Sequence, residues 1–355
     1  MKICYLANAA SIHTKRWARH FAGRRHQITV ISYQPGKIEG IQVYTLPSTF
    51  FGTPVDYFLN LKRVRYLVQK ISPDILHAHY VTSYGLFGAL AGKRPLIISA
   101  WGSDVLVAPE KSWLLRQIVR FSLSRANLVT SVAEHMTQII IDRRYASPSK
   151  IITFPFGVDT DVFNLSRRTR QHGISAPLII STRRLERGLD VHLFIQAIPK
   201  VLIFFPQASF IVTADGPLRP QLEKMADELG ISDKVEFRGE ISHQEMPLLL
   251  GMADVFVSTS PSDGNNVSLN EAMACGAFPI ATNIPANRVW LDSGKNGLLF
   301  PCQNVGELAR NIVEALRKPG WREASMDENW KIVSNRASWA REMARMEGIY
   351  SRLLL

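Results

Sequence analysis

The densest run of reactive side chains lies in Ser258–Asn287, STSPSDGNNVSLNEAMACGAFPIATNIPAN. A strand is expected to end at Ser258. A loop of Ser, Pro, Asp, Gly and Asn follows, and a helix starts near Val267. Gly264, Asn265, Asn266 and Val267 would then present backbone N–H groups at a helix N-terminus. Donors and helix dipole both point outward there, which makes an anion site. Glu271 falls one to two turns into that helix, where its carboxylate could accept two hydrogen bonds from the vicinal hydroxyls of a ribose. Asp263 stands on the preceding loop. One acid at the mouth of a pocket and one inside it would span a sugar nucleotide. An isolated acidic pair is more often a surface loop with a local cap; the loop and the packed AMACG run favour a ligand here.

Strands and helices must hold these groups in place, and the apolar periodicity supplies both. Strands are expected at the N-terminus (MKICYLAN) and over Gln27–Ser32, Ile41–Leu46, Asp74–His77, Pro95–Ala100, Leu128–Ser131 and Lys150–Phe154, with helices between them. The polar stretch Gly157–Ala176, with Arg167, Arg168 and Arg170, breaks the rhythm and reads as a linker. Alternation resumes at Leu178–Thr182 and runs to the helix Gly306–Leu316. A helical tail from Trp321 ends in Ile349, Tyr350 and three leucines, an apolar end expected to dock on the protein. The division is residues 1–165, 166–335 and 336–355: two α/β units, each a doubly wound parallel sheet, and a tail helix. Ligands of such sheets bind beyond the carboxyl ends of the strands.

The Ser258–Asn287 segment resembles the donor-site motif of family 4 retaining glycosyltransferases, two glutamates separated by seven residues and then A-M-A-x-G-x-P. Glu271-Ala272-Met273-Ala274-Cys275-Gly276 matches, Pro279 is displaced by one, and Asp263 replaces the first glutamate at the matching spacing. The resemblance implies the GT-B fold: two Rossmann-like domains facing across a cleft, with the C-terminal helix crossing back to the first. It implies that Asp263 contacts the donor sugar and Glu271 the ribose. It also implies a diphosphate-binding arginine, and Arg183 in STRRLE is the match. The family's lysine is absent, and Arg187 is the candidate in its place, since a guanidinium binds two phosphate oxygens at once. Thr213–Pro217 matches the family's turn after a strand. Phe237–Ile241 matches F-x-G-x-V/I, where backbone groups receive the base and Gly239 permits close approach.

In the first unit the family carries His-Gly-x-Asp. Here Trp101 takes the histidine position, while Gly102 and Asp104 are retained. Asp104 is the first-domain candidate for acceptor positioning or proton handling, and Trp101 a candidate platform for a sugar ring. His13 and Thr14 open a helix in a loop lacking the family's Gly-Gly, and His79 ends a strand; all three are candidate acceptor contacts. His77 and His79 would suit a metal pair by spacing, yet no third ligand is evident, so no metal is expected. Read together, Arg183, Asp104 and Asp263 are the catalytic candidates.

The chain has 355 residues, 46% hydrophobic and 20% charged, enough for two cores and unlike a disordered or disulfide-stapled chain. Cys4, Cys275 and Cys302 are scattered, which favours a reducing compartment. No GxGxxG follows the first strand, against a nicotinamide dehydrogenase, and no Gly-Lys-Ser/Thr marks a P-loop. Residues 1–165 carry 20 Lys/Arg and 9 Asp/Glu, a net +11, whereas residues 166–355 carry 22 and 21, a net +1. A basic half attracts an anionic partner. Without basic–aromatic interleaving that partner is not expected to be nucleic acid, and an anionic membrane face remains. The expectation is a metal-independent retaining glycosyltransferase of hexosyltransferase type. It needs no cofactor; its co-substrate is a nucleotide-diphosphate sugar, foremost a UDP-sugar, and its acceptor a glycan or lipid-linked hydroxyl in cell-surface polysaccharide or glycolipid synthesis. A cytoplasmic location follows, peripheral at the inner membrane face. A non-catalytic sugar-nucleotide-binding relative and a GT-B epimerase are the alternatives.

Overall fold

The computed structural model describes residues 1–47, 54–169 and 176–355, with the backbone alone for 54–59. The chain forms two compact units, Met1–Pro155 with Met343–Leu355, and Phe156–Glu342.

Among the described residues, unit 1 is built on seven parallel strands, β1 (Lys2–Leu6), β2 (Gln27–Ser32), β3 (Gln42–Thr45), β4 (Ile75–His79), β5 (Leu96–Ala100), β6 (Leu128–Ser131) and β7 (Ile151–Thr153), in the order β3-β2-β1-β4-β5-β6-β7. The central strands β4, β5 and β6 are buried at every residue. That is why they read as continuous apolar runs: helices cover both faces of a parallel sheet. Strand order reverses between β1 and β4, and a loop emerging beside that point has an opening next to it.

Unit 2 repeats the plan with, among its described residues, six parallel strands, β8 (Leu178–Ser181), β9 (Ser209–Thr213), β10 (Val235–Gly239), β11 (Val255–Ser258), β12 (Phe278–Thr282) and β13 (Leu298–Phe300), ordered β10-β9-β8-β11-β12-β13. Its reversal lies between β8 and β11. One sheet face packs on the helices Val191–Leu202 and Val305–Arg317 through Phe194, Ile198, Leu308 and Ile312, all at 0% exposure. Each such side chain contributes roughly 1.5–3 kcal/mol by leaving water. The other face packs on the helix Val267–Ala274 through Leu269, Ala272 and Met273.

The strands expected from the sequence are present within a residue or two at each end. The unit boundary falls earlier than 165/166, because Val158 and Phe163 are fully buried in the unit 2 core. Val158 also exchanges backbone bonds with Ala337 (2.7 Å) and Trp339 (2.8 Å). Gly157 is required at that crossing, where a Cβ would lie 2.3 Å from Trp339 Cα. Arg168 likewise bonds the carbonyls of Gly251 and Ala253, so this part of the expected linker is pinned to unit 2; Arg170 lies outside the described residues.

The expected single tail helix is two, Pro319–Arg336 and Trp339–Arg352, broken at Ala337. The segment returning to unit 1 is 343–355 instead of 336–355. Met343, Met346, Ile349 and Tyr350 bury there, while Leu354 and Leu355 stay exposed, so docking stops short of the last residues. Tyr350 is held by chemistry as well as packing. Its hydroxyl lies 2.7 Å from His77 Nδ1, His77 Nε2 lies 2.7 Å from Ser99 Oγ, and Ser99 Oγ lies 2.6 Å from Thr130 Oγ1. A fully satisfied buried chain of this kind fixes one arrangement, because breaking any member strands its neighbour in a low-dielectric interior.

Candidate active site

At the reversal in unit 2, β8 stops at Ser181 and releases the loop carrying Arg183, while its neighbour β11 stops at Ser258 and releases the loop 259–266. The two loops meet. Arg183 Nη2 donates to Asp263 Oδ2 at 2.8 Å, and Nη1 to Asn266 Oδ1 at 3.2 Å. The paired side chains are only 13% and 15% exposed. Asn266 is the cap of the helix Val267–Ala274. Its Oδ1 accepts from Leu269 N–H at 3.2 Å, and its Nδ2 donates to Ser258 Oγ and Asn287 Oδ1 at 2.9 and 3.0 Å. Asn266 therefore has its hydrogen-bonding capacity committed to the protein, and its part in a site is to hold Arg183 and the loop.

The row of open N–H groups expected over Gly264–Val267 is narrower than the sequence suggested. Asn265 N–H bonds Asp263 Oδ1 at 3.1 Å, and Val267 N–H bonds the Asn265 carbonyl at 2.8 Å. Asn265 Nδ2, by contrast, is buried with no partner among the described residues. Along the helix, Leu269, Asn270 and Ala272–Ala274 are buried, whereas Val267, Ser268 and Glu271 are half-buried. Spacings of three and four put those three residues on one accessible stripe, so Glu271 faces outward from a rigid element. Buried hydroxyls without partners among the described residues cluster at the strand ends: Ser181 on β8, Thr213 on β9 and Ser260 just beyond β11.

The Arg183 loop is tied down from the other side. Leu185 N–H bonds the Asp215 carbonyl (3.2 Å) and Leu218 N–H bonds the Leu185 carbonyl (3.0 Å). Gly216 makes this approach possible, since a Cβ there would stand 2.4 Å from Leu185 O. Asp215 accepts from Gly216 N–H at 2.8 Å. Gly239 ends β10 at φ +70° and its carbonyl receives Ala214 N–H at 2.6 Å. Arg187 is exposed further along the Arg183 loop. Arg183, Asp263, Asn265 and Asn266 are thus brought together, with Glu271 on the adjoining helix; among the described residues nothing ties Arg187 to the cluster.

Unit 1 holds a cavity of about 400 Å³ lined by the loops that leave β1, β2, β4 and β5. His13, His79 and Trp101 line it, together with Asn8, Ser11, Tyr33, Gln34, Tyr80, Ser83 and Tyr84. Trp101 stands 4.8 Å from the His79 ring and 5.8 Å from the His13 ring. His79 is 1% exposed, and neither ring nitrogen has a partner among the described residues. Burial, then the neighbouring His13, lowers its pKa to about 3, so it is neutral at physiological pH. His77 is held well below its usual value by burial and by His79.

Thr14 and Asp104 are fully buried and do not line the cavity. Asp104 Oδ2 accepts from Val81 N–H (2.8 Å) and Oδ1 from Gly102 N–H (2.8 Å) and Trp101 N–H (3.1 Å). Burial raises its pKa against those three bonds. The carboxylate therefore organises the backbone that carries Trp101 and Val81. Val81–Gly85 is a π-type turn, a geometry common beside functional sites.

Two family models match the chain: Glycosyl transferase 4-like over residues 2–133 and Glycosyl transferases group 1 over residues 166–332. The chain belongs to this glycosyltransferase family. The second match contains Arg183, Arg187, Gly239, Asp263–Val267 and Glu271. The glycosyltransferase is 25% identical over 281 residues to the GDP-mannose-dependent alpha-(1-6)-phosphatidylinositol monomannoside mannosyltransferase of Mycolicibacterium smegmatis, 74% of this chain and 71% of that protein. It is 25% identical over 306 residues to N-acetyl-alpha-D-glucosaminyl L-malate synthase of Bacillus anthracis, covering 82% and 74%. Its fold is GT-B: HepE of Anabaena, solved with UDP and glucose, superimposes with a TM-score of 0.83 at 18% identity over 99% of this chain and 100% of that one.

Sequence reasoning missed Tyr33, Gln34, Tyr80, Ser83 and Tyr84 of this glycosyltransferase. Tyr33 and Gln34 follow directly from β2, the strand paired with β1, and that adjacency was the available signal. Tyr80 adopts φ +83°, which nothing in its sequence neighbourhood announces.

Proposed function

We propose that this glycosyltransferase is a retaining enzyme that takes a sugar from a nucleotide-diphosphate sugar held by unit 2 and delivers it to a hydroxyl of a glycan or lipid-linked acceptor. The observation that carries the donor reading is the meeting of Arg183, Asp263 and Asn266 at the β8/β11 reversal, beside the helix that presents Glu271. Glu271 receives the ribose hydroxyls. Arg183 and the helix N-terminus neutralise the charge that builds on the departing diphosphate, and Arg187 joins from the same loop. Fixed charge aimed at a leaving group lowers the barrier without reorganisation cost, so the mechanism does not call on a metal. Asp263 orients Arg183 and contacts the donor sugar.

The bond from the anomeric carbon to the diphosphate oxygen breaks, and a new bond to the acceptor oxygen forms on the same face. The acceptor proton passes to a phosphate oxygen of the leaving group. A UDP-sugar is the first donor to try, supported by the UDP bound in the Anabaena neighbour.

Peripheral attachment to an anionic membrane face belongs to the same reading. Divided at the unit boundary, unit 1 holds 22 Lys/Arg against 8 Asp/Glu, a net +14, and unit 2 holds 20 against 22, a net −2. The asymmetry is thus larger than a cut at residue 165 suggests. Trp113 and Leu114, 71% and 54% exposed at the start of the helix Trp113–Arg125, project among exposed Lys111, Arg116 and Arg120. Apolar anchors with cations close by in the chain suit a headgroup region. No helix among the described residues is long and apolar enough to cross a membrane.

The test is product analysis by NMR after incubation with a nucleotide sugar and acceptor. The expected product keeps the donor's anomeric configuration. An inverted product overturns the retaining assignment, and conversion of the donor's sugar to its epimer without acceptor makes the protein an epimerase.

A further inference from the structure

We propose that Asn287, too deeply buried to touch a ligand, is a positioning residue for the donor site: it fixes the direction in which Asn266 holds the Arg183 guanidinium. The inference rests on the donor reading and adds a hidden determinant to it. Asn287 sits in the short helix Pro285–Arg288 that follows β12, far from Arg183 in the chain. Asn287, Thr282, Asn266, Ser258 and Ser260 are all fully buried. They form one hydrogen-bonded chain that ends on Arg183.

A side-chain amide has a donor end and an acceptor end, and neighbours that can play only one part decide which end faces them. The Thr282 carbonyl can only accept, and it takes Asn287 Nδ2 at 2.9 Å. Thr282 Oγ1 gives its proton to the Ser260 carbonyl at 2.5 Å, so it too accepts from Asn287 Nδ2, at 3.2 Å. Asn287 Oδ1 is thereby turned to Asn266, where it accepts from Nδ2 at 3.0 Å. With its donor end committed there and to Ser258 Oγ (2.9 Å), Asn266 must present Oδ1 to Leu269 N–H and Arg183 Nη1, both at 3.2 Å. Leu269 N–H can only donate, so the far end of the chain demands the same orientation. The polarity runs one way, from the Ser260 carbonyl to the guanidinium. The network also reaches the second partner of Arg183, because Ser260 lies in the loop that bears Asp263. Without Asn287, Asn266 Nδ2 keeps Ser258 Oγ alone of its two partners, and the amide is free to turn over. A turned amide would set its NH2 against the guanidinium, donor against donor. A charge displaced by about an ångström loses much of its effect on a reacting group.

The experiment is calorimetric titration of the full chain with UDP, GDP and ADP, continued with whichever binds the wild type most tightly. Asn287→Ala should weaken that binding about tenfold or more, the value of one hydrogen bond to a charged group. In an Arg183→Ala background the same substitution should cost less than about twofold, whereas a purely structural role gives equal losses in both backgrounds. Asn287→Asp adds a pH signature. Its protonated carboxyl accepts from Asn266 and donates to Thr282 as the amide does, while its ionised form has no donor. Its affinity relative to wild type should therefore rise as pH falls from 9 to 5. Thr282→Val removes one hydroxyl and keeps the carbonyl; it should weaken binding about threefold, and only when Arg183 is present. It keeps the test decisive if Asn287→Ala does not fold. Unchanged affinity in the Asn287 and Thr282 variants, equal losses with and without Arg183, or an Asn287→Asp ratio that is flat with pH would overturn the proposal. Failure of all three nucleotides to bind, or binding indifferent to Arg183→Ala, sinks the donor reading and this inference with it. Loss in Arg183→Ala without loss in Asn287→Ala sinks this inference alone.

Discussion

Arg183 and Asp263, eighty positions apart in the chain, form a 2.8 Å ion pair that joins the loops leaving β8 and β11. Two residues expected to touch different parts of a donor are thus partners of each other. Asp263 sets where the Arg183 guanidinium points, and Asn266 sets it from a second direction. The pair is mostly buried, so removing one member leaves the other uncompensated.

The first prediction follows from that coupling. Arg183→Ala should lower kcat/KM by about 100-fold or more, the usual cost of losing one fixed donor to a developing charge. Asp263→Asn should cost less, and the double variant little more than Arg183→Ala alone. A double-mutant cycle should give a coupling of about 1–3 kcal/mol. Additive losses would mean the two residues act independently.

Glu271 stands on the accessible stripe of its helix, so Glu271→Gln should leave the protein folded and raise the donor KM by roughly 10- to 100-fold, the value of one charge-assisted bond pair. Steady-state kinetics at varied donor concentration separates this from a fall in kcat alone.

Gly216→Ala tests the scaffold beneath Arg183. A Cβ at 2.4 Å from Leu185 O must displace one of the two loops. Donor affinity should fall although residue 216 makes no proposed ligand contact. Retained donor affinity would show that the Leu185–Gly216 contact does not position Arg183.

His77 and His79 make acid stability predictable. Burial lowers both pKa values, His79 to about 3. Above roughly pH 6.5, the usual histidine value, folded and unfolded chains both hold these rings neutral. As pH falls below it the unfolded chain takes up protons that the folded chain refuses, so stability declines towards pH 3. Tm should therefore fall between pH 6.5 and 5, before carboxylates titrate, and His79→Gln should flatten that decline.

Membrane attachment through unit 1 predicts binding to vesicles containing anionic lipid, weakened by salt, and weakened further by Trp113→Glu with Tm and donor kinetics unchanged. Co-sedimentation with neutral and anionic vesicles measures it. Binding that ignores lipid charge would remove the electrostatic part.

Much of this architecture was legible because central strands of a parallel sheet are buried on both faces and appear as unbroken apolar runs such as Leu96–Ala100. The three-residue edge strand Leu298–Phe300 is too short to give a period. The boundary at Pro155 was hidden because the apolar anchors Val158 and Phe163 stand in an otherwise polar segment. Glu271 and Asp263 could be picked out from one contiguous segment. The Arg183–Asp263 contact could not, since pairing over eighty positions is decided by strand order. Asp104 was a reasonable acid by its neighbours, but only its three backbone bonds reveal that it is occupied.

The most direct test is a thermal-shift titration of the wild-type chain and Glu271→Ala with UDP-, GDP- and ADP-sugars. A ligand that binds only the folded state raises stability by mass action, about 2.7 kcal/mol at a hundredfold excess over Kd. One nucleotide class should raise the wild-type Tm in a concentration-dependent way and leave Glu271→Ala unshifted. No shift with any of them, or an equal shift in both proteins, would contradict a donor site built on Arg183, Asp263 and Glu271.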